Sequence, residues 1–72
     1  MKHYCVYTVD IRPGMLRELT DVLEECGHGF EMHLNRSRFW LDEENPQHMQ
    51  FYIRWSHLLH DISHETDHGL GV

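Results

Sequence analysis

Along residues 15–26 the apolar positions repeat with the period of an α-helix. At about 100° per residue, Met15, Leu16, Leu19, Val22, Leu23 and Cys26 share an arc roughly 120° wide, and Arg17, Glu18, Asp21, Glu24 and Glu25 take the other side. Pro13 suits a first helical position and Gly27 the residue after the last turn, so the helix is punctuated at both ends. Ahead of it, residues 3–11 are dense in β-branched and aromatic side chains, with apolar groups on both faces, which predicts a central strand. Beyond Gly27, Phe30, Met32 and Leu34 alternate with Glu31 and His33 as in a half-buried strand. The phase then slips, since Phe39 and Leu41 carry odd numbers, and a bulge or turn around residues 35–38 absorbs the slip. An acidic loop, Asp42-Glu43-Glu44-Asn45-Pro46-Gln47, follows. Met49, Phe51, Ile53 and Trp55 alternate against Gln50, Tyr52 and Arg54, predicting a third strand that forms a hairpin with the second. From Ser56, a plausible N-cap, the period becomes helical again: Trp55, Leu58, Leu59, Ile62 and Thr66 share one side. Residues 69–72 leave room for a stub of a fourth strand.

The predicted order is β-α-β-β-α with a short closing β. It corresponds to an α+β sandwich of ferredoxin-like type, in which an antiparallel sheet carries two helices on one face and residues 1–72 form one domain. The other face of such a sheet is open. Tyr52 and Arg54 point to that face when Phe51 and Ile53 point inward, and Trp40 joins them; aromatics with arginine on an open sheet suit an interface. At 72 residues the core is near the lower limit for unaided stability, so a second copy or a bound ligand would help materially.

Pro13-Gly14-x-Leu16, followed by Leu19, Val22, Leu23 and Gly27, resembles the ACT domain family of small regulatory modules. The match covers about a third of the chain, and the remainder follows by element order. The resemblance implies a non-enzymatic regulatory module that works as a homodimer, with an amino-acid-like ligand at a seam beside the turn of residues 11–14. On this chain the seam residues are Ile11, Arg12, Gly14 and Met15, with Arg12 the anchor for a carboxylate. Ile11 and Gly29 stand where amino-acid-binding members carry polar residues.

Charge adds two further readings. The formal charge of −6 speaks against a nucleic-acid partner held by phosphate neutralisation and suits an acidic inhibitor that covers a basic surface on another protein. Eight histidines are enough to reverse the sign of that charge once protonated. Four of them, His57, His60, His64 and His68, cluster within about 80° on the predicted second helix; imidazoles four apart on one helix face chelate a divalent ion such as zinc, nickel or copper. No other cofactor is expected. Cys5 and Cys26 lack C-x-x-C spacing and read as reduced, buried thiols. Cys26 with His28 makes a poor nucleophile pair, because a helix C-terminus disfavours thiolate. Phosphate-loop and Gly-x-Ser-x-Gly motifs are absent, as is a spaced calcium loop around Asp42-Glu43-Glu44. The element order also suits an RNA-recognition domain, but the basic, glycine-containing signature of that class is missing. No run reaches membrane-spanning length and no signal segment precedes the first strand, so a cytoplasmic, non-enzymatic binding module is expected.

Overall fold

The structure, a computed structural model, describes residues 1–25 and 30–64. Its elements run β1 (Lys2–Tyr7), α1 (Met15–Glu24), β2 (Glu31–His33), β3 (Arg36–Leu41), α2 (Pro46–Trp55) and β4 (His60–Asp61), with 3₁₀ turns at Thr8–Asp10 and Ser56–Leu58. The four strands form one antiparallel sheet in the order β2-β3-β1-β4. The molecule is therefore α+β, and β1 is central, as its two apolar faces predict.

Register assigns the faces. Tyr4 lies opposite Phe39 and Val6 opposite Ser37, so these side chains share one face of the sheet with Leu41. On that face Tyr4, Val6, Phe39 and Leu41 pack with Met15, Leu19 and Leu23 of α1 and Phe51 of α2 to form the core. Phe39 and Phe51 meet edge to face at 6.0 Å.

α1 follows its apolar arc: Met15, Leu19 and Leu23 are buried, and Leu16 and Val22 pack against the core. Cys26 and Gly27 lie outside the described residues. Its entry differs from the expectation that Pro13 opens the helix. Gly14 is the N-cap, at φ 83° and ψ −14°, and the Met15 N–H donates to the Arg12 carbonyl at 3.1 Å. Those values describe a type II turn, in which proline at the second position presets φ and glycine at the third accepts a positive one.

Residues 46–55 are helical, which corrects the expected third strand. Asn45 caps the helix by accepting from the Gln47 and His48 N–H groups (2.9 and 3.4 Å), and Pro46 opens it. The fully buried His48 faces the core one turn before Phe51, and its Nδ1 accepts from the Asp42 N–H at 2.8 Å. Ile53 is 74% exposed, as fits the outer side of a helix and not the inner face of a strand. The hairpin is instead β2–β3, closed by a turn at Leu34-Asn35 in which Leu34 takes φ 56°. The expected second helix over 56–66 is likewise replaced, through residue 61, by a 3₁₀ turn and the short edge strand β4. Residues 65–72, with the proposed fourth-strand stub, fall outside the described residues.

Candidate functional site

Two surfaces collect side chains that the core does not use. The first is the margin formed by the β1–α1 turn and the edge strand β2. The Thr8 N–H donates to the Asn35 carbonyl at 2.8 Å, which ties the end of β1 to the β2–β3 turn. Around this tie Val9, Met32 and Leu34 are 85%, 66% and 91% exposed. Of the expected seam residues, Arg12 and Gly14 are exposed beside this margin, Ile11 is half-buried against the core, and Met15 is fully buried. Met15 thus belongs to the core and presents no side chain to a ligand. No side chain caps α1 at Gly14, so the start of the helix leaves N–H groups without a side-chain acceptor, two residues after the exposed Arg12.

The second surface is the face of the sheet opposite the helices. Alternation along β3 puts Arg36, Arg38 and Trp40 on it, and register adds His3, Cys5 and Tyr7 from β1, Glu31 and His33 from β2, and His60 from β4. His3 and Trp40 stack in parallel, with centroids 4.3 Å apart and planes 9° apart. Tyr7 and His60 meet edge-on at 5.0 Å. Arg38 pairs with Glu31 at 3.0 Å, and the Cys5 thiol between Arg38 and His60 is buried. Tyr52 and Arg54, expected beside Trp40, are not on this face because their segment is helical. Tyr52 packs on Tyr4 at 5.3 Å within the helix layer, and Arg54 bridges to Glu18 of α1 at 3.1 Å.

No family model, curated protein or solved structure matches this chain.

The helices enclose a third feature, an open groove of about 350 Å³ lined by Glu18, Asp21, Val22, Glu25, Gln47 and Gln50. At its end the Glu18 carboxylate accepts from Arg54 and from the Trp55 indole N–H (3.3 Å), joining α1 to α2. The histidine stripe does not form as one helix face. His57 lies in a 3₁₀ turn, His60 lies on β4, and His68 is outside the described residues. Among the described residues no three His, Cys, Asp or Glu side chains gather as a metal set, His64 included.

Among the described residues, Tyr4 and Asp61 are tuned by their surroundings. Burial raises the Tyr4 phenol above 10.0, helped by negative charge at Tyr52, Asp61 and Glu43. The backbone N–H of Ser63, 2.9 Å from Asp61 Oδ1, lowers the Asp61 carboxyl, with the Ser63 hydroxyl, Lys2 and His64 acting in the same sense. His3, Tyr7, Glu31, His33, Arg36 and Arg38 are among the members of the outer sheet surface that sequence reasoning missed. The strict alternation of residues 36–41 was the signal that could have found them.

Proposed function

We propose that this chain is a ferredoxin-like, ACT-like binding module without catalytic activity. It works as a homodimer joined along β2 and takes a small amino-acid-like carboxylate at the β1–α1 turn. The β-α-β-β-α-β alternation and the central position of β1 and β3 support the fold part of this reading. The observation that carries the functional part is the Thr8–Asn35 hydrogen bond. It ties the start of the turn bearing Arg12 to the β2–β3 turn, at the same end of the sheet as the close of β2, which among the described residues is an edge strand. Exposed Val9, Met32 and Leu34 supply apolar area at that margin, and two-fold pairing about Met32 sets Glu31 of one copy opposite His33 of the other.

Sedimentation velocity and scanning fluorimetry across the amino acids test the reading. A dimer that Met32→Lys turns into a monomer is expected, with a melting-temperature rise for one amino acid that Arg12→Ala abolishes. Ligand at about 100 times its Kd adds about 2.7 kcal/mol, a shift of several degrees. A monomer that no amino acid stabilises refutes it.

A second reading, an acidic inhibitor of a basic protein surface, is supported by the carboxylates of the helix-layer groove, Glu18, Asp21 and Glu25. It predicts partner binding that falls steeply with salt and with charge reversal at Asp21.

A further inference from the structure

Leu34 holds a backbone conformation that a leucine does not favour. It takes the first position of the two-residue turn between β2 and β3, with φ 56°. The favoured two-residue hairpin turns require a positive φ there, and glycine, asparagine and aspartate supply it readily. A leucine in that conformation brings its Cβ too close to a backbone carbonyl. Burial within the chain does not offset this, because the residue is 91% exposed. The turn is held through backbone pairing instead: the Asn35 carbonyl accepts from Thr8, and Arg36 is in register with His33 and Tyr7. None of these pairings uses the leucine side chain.

The surroundings point to what that side chain meets. Val9, 85% exposed, follows the Thr8 that is tied to Asn35, and Met32, 66% exposed, lies two residues back on β2. Among the described residues β2 is an edge strand. A second β2, added antiparallel with the two-fold axis at Met32, sets Glu31 of each copy opposite His33 of the other. That self-complementarity of carboxylate and imidazole favours a second copy over an unrelated strand. One position further out, Leu34 of each copy comes level with Phe30 of the other, a ring that is only half-buried against its own core.

We propose that Leu34 is the anchor of the β2 homodimer. Its side chain buries on Phe30 of the second copy, and the chain carries a leucine at a glycine-type position for association, although this lowers the stability of its own fold. The proposal rests on the dimer reading and adds the residue that decides the dimer's affinity. Association and folding stability then move in opposite directions at one position.

The test compares Leu34→Asn with the unaltered chain in two measurements. One is the dimer Kd from sedimentation velocity over about 1–500 μM; the other is the urea midpoint of the dilute monomer by far-UV circular dichroism. Asparagine removes the apolar group and tolerates the positive φ. Kd should therefore rise at least about tenfold, as for the loss of one buried leucine, while the midpoint does not fall. Leu34→Met keeps an apolar side chain and should associate as the unaltered chain does. Ile53→Ala, which removes an exposed apolar group from α2, should leave Kd unchanged. Should Leu34→Asn fail to fold, Leu34→Gly replaces it. A dimer that Met32→Lys disrupts but Leu34→Asn leaves intact would overturn the anchor and spare the β2 reading. A Leu34→Asn midpoint below that of the unaltered chain would also overturn it, since Leu34 then stabilises its own fold. A chain still monomeric at about 500 μM would overturn both.

Discussion

Phe51 and Ile53 are two apolar residues two positions apart, and a strand or a helix over this segment assigns them opposite relations. In a strand they share a face and are buried together. In the observed helix Phe51 is fully buried against Phe39, whereas Ile53 is 74% exposed. Removing the Phe51 ring should cost about 3–5 kcal/mol in lost transfer energy and cavity. A domain of 72 residues has about 4–11 kcal/mol in total, from roughly 0.05–0.15 kcal/mol per residue. Phe51→Ala should therefore remove a large part of that stability. Ile53→Ala touches a solvated side chain and should stay within about 0.5 kcal/mol of the parent. Urea titration followed by far-UV circular dichroism measures both. With m near 1 kcal/mol/M for a chain this small, the Phe51 variant should lose about 3 M or more from its midpoint, and the Ile53 variant less than about 0.5 M. A loss above about 2 kcal/mol for Ile53→Ala would refute the helical placement, because an exposed isoleucine has no burial of that size to lose.

The same elements support three smaller expectations. Asn45→Ala removes the cap of α2 and should cost about 1 kcal/mol, read as about 4–8 °C in melting temperature, with Asn45→Asp losing much less. Glu18→Ala breaks the link to Arg54 and Trp55; an exposed ion pair and one charge-assisted hydrogen bond together predict about 1–2 kcal/mol, and a double-mutant cycle with Trp55→Phe should show coupling. The Tyr4 phenol titrates above 10.0 when folded, so the folded chain retains a proton that the unfolded chain loses. The stabilisation from this group is complete below pH 10 and disappears as pH rises through the folded value, and Tyr4→Phe should flatten the alkaline decline in the urea midpoint.

The helix at 46–55 was legible in the sequence, but through signals that the period-2 pattern overrode. His48, Phe51, Tyr52 and Trp55 recur at three- and four-residue spacing, and Asn45-Pro46 is a cap followed by a helix-opening proline. Counting His48 as polar hid the stripe. It is buried because its Nδ1 has a backbone partner in Asp42, a pairing made across six residues that composition alone does not display. Met49, Phe51, Ile53 and Trp55 alternate by coincidence of one exposed isoleucine. α1, in contrast, has apolar, capping and charge signals that agree, and its arc through Leu23 was readable apart from the type II turn at its start. β4 was not readable at all: two residues have no period, and the strand exists because β1 offers His60 and Asp61 a place to pair.

For the candidate surfaces the decisive step was the position of one turn. A slip placed at residues 35–38 assigns Arg36 and Arg38 to a loop, where they read as ordinary solvated cations. Closing the hairpin at Leu34-Asn35 instead makes residues 36–41 a strand of strict alternation, with Ser37, Phe39 and Leu41 inward and Arg36, Arg38 and Trp40 outward. A turn at Leu34 was hard to foresee, because a bulky residue rarely takes a positive φ. Tertiary pairing provides a reason for it. Arg36, the first residue of β3, pairs with both His33 and Tyr7, and the Asn35 carbonyl accepts from Thr8, so the turn is held from both sides. That arrangement sets Arg36, Arg38 and Trp40 on the outer face of the sheet and ties the β1–α1 turn to the β2–β3 turn. The outer face of the sheet and the proposed Arg12 seam therefore depend on the same two-residue turn, and a substitution that relocates it should disturb both together, whereas Arg12→Ala should disturb the seam alone.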